Sequence, residues 1–150
     1  MHIVFVEPQI PPNSGTTARL CAATDTGFHL VGPLGFSLED RYLKRAGLDY
    51  WPYVTLRTYT DWPAFLHQRP AGRLLAFSAR ASQPYTRVRY RPDDLLVFGS
   101  ETRGLPPSIR TELAASLYTI PMPGRHVRSL NLSNAAAIVL YEALRQLGHA

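Results

Sequence analysis

Three groups of small polar and charged side chains stand out in an otherwise apolar chain. The first is PPNSGTTAR, residues 11–19, with Asn13, Gly15 and Arg19. Asn13 and Gly15 suit a tight turn that presents backbone N–H groups at the start of a helix, and a helix start favours anions. Arg19 then lies about one turn into that helix, where it can point back at the same loop. A Pro-rich capped turn with a surface arginine explains the same residues.

The second group is FGSETRGLPP, residues 98–107, in which Gly99 and Gly104 bracket Ser100, Glu101, Thr102 and Arg103. A phosphate-binding P-loop requires Lys and Ser/Thr after its second glycine, and Leu105-Pro106 stand there instead. The Gly-x-Gly-x-x-Gly and Gly-x-Ser-x-Gly patterns are also missing, which speaks against a dinucleotide fingerprint and a hydrolase elbow. What remains is a glycine that lets backbone approach a ligand, beside one carboxylate and one guanidinium. A Glu101–Arg103 surface pair on an ordinary loop is the alternative.

The third group, IPMPGRHVRSLNLSN, residues 120–134, sets Ser129, Asn131, Ser133 and Asn134 ahead of AAAIVLYEAL. One such residue serves as a helix N-cap. The surplus suits reading a heterocycle edge or holding a ribose hydroxyl. A central core helix with a polar cap is the alternative.

The elements that must position these groups follow from periodicity. HIVFV (2–6), FHLVG (28–32), WPYVTL (51–56), RLLAFSA (73–79), DLLVFG (94–99) and SLYTI (116–120) read as strands. Helices are predicted over 16–27, with Gly27 as stop, over 38–47, after Asp61-Trp62-Pro63, from 106 to 113 and from about Ser133 to Leu147. PQIPPNSG (8–15) is predicted to be irregular because three prolines and a glycine interrupt it. Strands that are continuous apolar runs, alternating with helices, indicate a doubly wound α/β domain with a parallel sheet, a single domain over residues 1–150. Ligands in such sheets sit beyond the carboxyl ends of strands, which directs attention to the loops after Val6, Ser78, Phe98 and Ile120. The last helix carries Ile138, Val139, Leu140, Tyr141, Ala143, Leu144 and Leu147 around nearly its whole circumference. A helix apolar all round is covered on all sides, and in so short a chain a second subunit is expected to cover one of them.

Bulk properties agree with an ordered globular domain: 150 residues, 45% hydrophobic and 18% charged. No stretch reaches the ~20 apolar residues of a membrane span, and MHIVFVEP has no basic start, so it does not read as a signal peptide. Cys21 is alone, which excludes an intramolecular disulfide. A cytoplasmic location is expected. The net charge of +5 favours a polyanionic partner. Every basic residue except Lys44 is arginine, whose fork matches phosphate. An Arg-rich proteome produces the same bias.

Taken together, the three loops resemble the three motifs of the SPOUT class of RNA methyltransferases, within it the small tRNA wobble-nucleotide 2′-O-methyltransferases of the TrmL (YibK-like) type. The blocks HIVFVEPQIPPNSGTTARLCAAT, HLVGPLGF, KRAGLDYW, LLVFGSETRGLP and IPMPGRHVRSLNLSNAAAIVLYEALRQLG carry the resemblance, in that order and spacing, over nearly the whole chain. It implies an α/β-knot fold with a deep C-terminal trefoil knot, a homodimer through the C-terminal helix, and S-adenosylmethionine as cofactor. Carried over by position, Phe77, Gly99, Ile120 and Ser129 bind the cofactor. Glu101, Arg103 and Gly104 shape the same pocket, and Leu130 to Asn134 line its floor.

The implied reaction moves a methyl group from the sulfonium to the ribose 2′-oxygen of the tRNA wobble nucleotide, a cytidine or modified uridine. The resemblance assigns removal of the hydroxyl proton to Arg19, six residues after Asn13. A guanidinium offers no lone pair, so fixing the substrate phosphate and stabilising the developing alkoxide is the chemically easier role. Ser129 and Asn131 are expected to orient the ribose or the cofactor, and Glu101 to offset the sulfonium charge. Asn13, Arg41, Lys44, Arg45, Arg125, Arg128 and Tyr141 are the expected tRNA contacts, with no metal and no membrane involved. Two rivals are a silent RNA-binding module on the same scaffold and a hydrolase using Ser129 with His126.

Overall fold

The computed structural model describes residues 1–39 and 50–150. The helix predicted over 38–47 and the side chains of Arg41, Lys44 and Arg45 lie outside the described residues. In chain order the elements are β1 (His2–Val6), α1 (Pro11–Thr24), β2 (Gly27–Val31), β3 (Leu56–Tyr59), α2 (Trp62–Gln68), β4 (Leu74–Phe77), β5 (Gln83–Pro84), β6 (Leu95–Phe98), α3 (Pro107–Glu112), β7 (Leu117–Thr119) and α4 (Leu132–Gln146). The strands form one seven-stranded sheet in the order β3-β2-β1-β6-β4-β7-β5. Every pairing in it is parallel.

The central strands are buried on both faces, which is why they read as unbroken apolar runs. Successive side chains leave a strand on opposite sides. Ile3 and Phe5 therefore join Phe28, Leu30 and Phe98 in one core layer with Val139 and Leu140 of α4 and Ala18 and Cys21 of α1. Val4 and Val6 join Val31, Leu95 and Val97 in the other, closed by Phe65 of α2 and Ile109 of α3. No described helix is long and apolar enough to cross a membrane.

Four expectations are corrected. Helix α1 begins at Pro11, five residues earlier than predicted, and ends at Thr24. The first N–H groups of a helix have no intrahelical acceptor, so Pro11 and Pro12 sit at N1 and N2 without penalty. Its stop is Asp25 in the left-handed region (φ 50°), not Gly27. Gly27 opens β2 instead, where any side chain would strike the His2 ring. Trp51–Tyr53 is a 3-10 turn, in which Pro52 fixes φ in the first turn, and the strand comes later, at Leu56–Tyr59. The two-residue edge strand β5 was not expected; Pro84 is tolerated there because an edge leaves one side unpaired.

Register matters most at the carboxyl end. Phe5 pairs with Phe98, and Phe98 with Phe77. The Phe77 and Phe98 rings stack with centroids 5.0 Å apart, and Phe5 meets Phe98 edge-on at 6.1 Å. The result is an aromatic shelf at the ends of three adjacent strands.

Candidate active site

A cavity of about 380 Å³ opens above that shelf, at the ends of β4, β6 and β7. Its floor is Phe77 and Phe98, and its walls come from the 99–105 turn, Ile120 and Met122 after β7, and the 128–132 approach to α4. The volume falls within the range of small-ligand sites.

The 99–105 wall is a tight backbone hairpin. Ser100 N–H donates to the Gly104 carbonyl at 3.2 Å and Gly104 N–H to the Ser100 carbonyl at 3.0 Å. Arg103 N–H donates to Ser100 Oγ at 3.2 Å. Gly104 turns the chain with φ +68°. A Cβ on Gly99 would collide with the backbone of Gly104 and Leu105, so only glycine lets the two limbs close. The wall offered to a ligand is accordingly main chain.

The three loops are joined by one chain of hydrogen bonds. Asn131 caps α4: its Oδ1 accepts from Ser133 N–H at 3.0 Å, Asn134 N–H at 3.2 Å and Ser133 Oγ at 2.6 Å. Its Nδ2 donates to Asn13 Oδ1 at 2.9 Å. Asn13 Nδ2 in turn donates to Glu101 Oε1 at 3.2 Å. Both amide orientations follow from their end groups, since backbone N–H only donates and a carboxylate only accepts. Glu101 also receives Gln9 N–H at 2.7 Å and Ile10 N–H at 3.0 Å. These donors stand at the start of α1, whose N-cap Ile10 has no side chain able to cap it. A carboxylate there is favoured by the helix dipole as well.

The structure thus brings Phe77, Gly99, Glu101, Gly104, Ile120, Ser129 and Leu130 to the cavity, together with Arg128. Asn134 is exposed and spends its N–H on the cap. Asn13 is 8% exposed and acts in the inter-loop chain. The Glu101 oxygens point at the first loop, and the Asn131 amide is engaged at both atoms.

Arg19 does not line the cavity. Because α1 starts at Pro11, Arg19 falls in its third turn rather than its first, on an exposed face. Its guanidinium carbon lies 5.9 Å from the centre of the Tyr50 ring, and Tyr50 Oη donates to the Gly15 carbonyl at 3.2 Å. Arg125 is exposed in the third loop, and Tyr141 lies half-exposed on α4.

Sequence reasoning missed Phe98 in the floor, Tyr50 as the neighbour of Arg19, and Arg80 and Arg110 in the lining. The loop after Ser78 pointed toward Arg80; nothing local pointed to Arg110. Among the described residues no group of three or more His, Cys, Asp or Glu is placed to hold a metal.

An all-parallel α/β sheet with a cavity beyond the carboxyl ends of its strands is the arrangement in which doubly wound α/β proteins bind their ligands. The chain belongs to the SpoU rRNA Methylase family, which it matches over residues 1–141. A protein of Polaromonas sp. (strain JS666) named tRNA (cytidine(34)-2'-O)-methyltransferase is 47% identical over 153 residues, covering 99% of this chain and 92% of that one. A solved structure described as giving insight into the 2-OH methylation of C/U34 on tRNA superposes with TM-score 0.92 at 48% identity, covering 99% of this chain and 97% of the other. The SpoU methyltransferase AviRb of Streptomyces viridochromogenes, solved in complex with AdoMet, superposes with TM-score 0.84 at 25% identity, over 100% of this chain and 61% of that one.

Proposed function

We infer that this protein is a tRNA 2′-O-methyltransferase acting on the wobble nucleotide with S-adenosylmethionine as methyl donor. The single observation that carries the reading is the inter-loop chain Glu101–Asn13–Asn131, which ties the first loop to the two loops that wall the cavity. The residues fit the cofactor. Phe77 and Phe98 give the cavity an apolar floor for adenine, the Gly99–Gly104 hairpin offers main-chain polar groups for its edge, and the Arg110 guanidinium in the lining has no ion pair among the described residues. When bound, the cofactor supplies a methyl group on a sulfonium.

The protein's own contribution is alignment. Holding oxygen, methyl carbon and sulfur in line is worth up to ~7–11 kcal/mol. Asn131 and Asn13 act as positioning residues, because their side chains are spent holding loops. Glu101 acts likewise, anchoring the start of α1 rather than facing a sulfonium. Ser129, exposed at the cavity mouth, orients the ribose. Arg19, on the α1 side and outside the cavity, fixes the substrate phosphate, with the Tyr50 ring supporting its guanidinium, and the 2′-hydroxyl proton leaves to that phosphate as the bond to the methyl carbon forms. Arg80, Arg103, Arg125 and Arg128, all exposed in the loops at or beside the mouth, receive the RNA backbone.

The dimer belongs to the same proposal. Asn134, Ile138, Tyr141 and Arg145 fall on one exposed face of α4. Ile138 is 37% and Tyr141 49% exposed, an uncovered apolar pair on the outer face of the helix. A second copy laid on this face covers it. The deep C-terminal trefoil knot belongs to the same proposal, and the all-parallel sheet and the SpoU family match are consistent with it. A cytoplasmic location accords with a tRNA substrate.

The test is mass spectrometry of tRNA nucleosides and fragments after incubation with cofactor. We expect a single ribose methylation at the wobble nucleotide, abolished by Arg19→Ala with cofactor affinity nearly intact. Methylation elsewhere on the tRNA, or normal turnover by that variant, refutes the assignment of target or of Arg19.

A further inference from the structure

The cavity lining carries four guanidiniums, of Arg80, Arg103, Arg110 and Arg128, and one carboxylate, of Glu101. Both oxygens of Glu101 are taken by the first loop. Three of the arginines are exposed at the mouth, where water solvates them. Arg110 differs. It sits on α3 beside Ile109, which is buried in the core, and is itself only partly exposed. Its Nε is buried and has no hydrogen-bond partner. The nearest acid along the same helix, Glu112, accepts from Trp62 Nε1 at 3.0 Å. Among the described residues, the ion pairs are Arg73–Asp94 and Arg145–Glu142, and neither involves Arg110.

A half-buried guanidinium in a cavity wall, with no acid paired to it among the described residues, gains from an anion placed against its outer nitrogens, because a partly desolvated charge without a counter-ion is costly. The planar fork matches a carboxylate in two-point geometry. S-adenosylmethionine carries one anionic group, the α-carboxylate of its methionine end; its sulfonium and ammonium are cationic and its adenosine is neutral. We propose that Arg110 binds the methionine carboxylate of the cofactor, and so discriminates the whole cofactor from nucleosides that share only its adenosine part. This assignment rests on the cavity being the cofactor site. It also gives orientation: adenine on the Phe77–Phe98 shelf, the carboxylate toward α3, and the sulfur between them, facing the mouth where Ser129 stands.

The test is calorimetric titration of wild type, Arg110→Met and Arg110→Lys with two ligands. S-adenosylhomocysteine carries the carboxylate, and 5′-methylthioadenosine lacks the whole amino-acid end. Arg110→Met is expected to weaken the first roughly ten- to hundredfold, the range for a charge-assisted hydrogen bond, and to leave the second unchanged. Arg110→Lys, which keeps charge and loses the fork, is expected to fall between and keeps the question open should the methionine variant fold poorly. Equal weakening of both ligands makes Arg110 a structural residue and overturns the proposal. Unchanged affinity for S-adenosylhomocysteine overturns it too, whether or not tRNA binding falls. If wild type binds neither ligand, the cofactor reading of the cavity fails first, and is recognised by that result.

Discussion

Asn131 offers the sharpest perturbation, because its two amide atoms do separate jobs. Oδ1 caps α4, and Nδ2 ties the third loop to Asn13 in the first. Asn131→Ala removes both. Loss of an N-cap costs about 1 kcal/mol. The Asn13 Oδ1, on a residue only 8% exposed, is left without its donor at a further cost of about 1–3 kcal/mol. The sum is roughly 2–4 kcal/mol, or about 4–16 °C in Tm for a domain of this size. Asn131→Asp separates the two. It keeps the capping oxygen and gains about 0.3–1 kcal/mol from a negative charge at the helix start. It also turns an acceptor toward Asn13 Oδ1. Asn13 can rotate its amide to meet it only by presenting oxygen to Glu101, so one of the two inter-loop bonds is lost either way. We therefore expect Asn131→Asp to lie within about 2 kcal/mol of wild type in urea denaturation, while both variants lose S-adenosylhomocysteine affinity to the same degree, at least tenfold, in calorimetric titration. Wild-type affinity in Asn131→Asp refutes the idea that the inter-loop chain holds the site. Equal instability of the two variants refutes the division of labour between cap and tie.

Gly99→Ala is expected to abolish cofactor binding, because its Cβ meets the backbone of Gly104 and Leu105, whereas Gly104→Ala, open to solvent, costs only about 1 kcal/mol of left-handed strain; titration and thermal melts of the two compare them directly. His29 is buried between His2 and Tyr59, with Nε2 3.0 Å from His2 Nδ1 and Nδ1 2.9 Å from Tyr59 Oη, and burial lowers its pKa to about 4. Its unfolded value is the higher, so the unfolded chain binds the extra proton: stability is full above about pH 6.5 and falls as pH drops toward 4, by about 2 kcal/mol between pH 7 and 5. Denaturation midpoints across that interval check it, and a His29→Asn variant with the same slope as wild type contradicts it. Ile138→Asp on the exposed stripe of α4 is expected to convert a dimer to a monomer in light scattering, and an unchanged mass removes that face from the interface.

Much of the architecture was legible in the chain. Val4, Val6, Leu95 and Val97 announce buried parallel strands because a strand covered on both faces has no polar side to show. Asp61 before Trp62-Pro63 announces a helix start, and its carboxylate accepts Ala64 N–H at 2.8 Å as a cap should. The polar cluster ahead of the last helix likewise announced a capped loop with more polarity than one cap needs.

What stayed hidden is long-range. Pro11 and Pro12 read as breakers until Glu101, from a loop far along the chain, was seen to satisfy the exposed N–H groups at the start of α1. Arg19 stands farther from the start of its helix for the same reason, because each residue added at the N-terminal end moves that end about 1.5 Å further along the axis. The Asn13–Asn131 bond spans 118 positions and the Asn13–Glu101 bond 88. Periodicity and capping are set within a few residues, by backbone geometry that the local sequence specifies. Which loops meet over the Phe77–Phe98 shelf, and that Arg110 joins the cavity lining from α3, depend on the order and register of seven strands, which no short stretch of residues encodes.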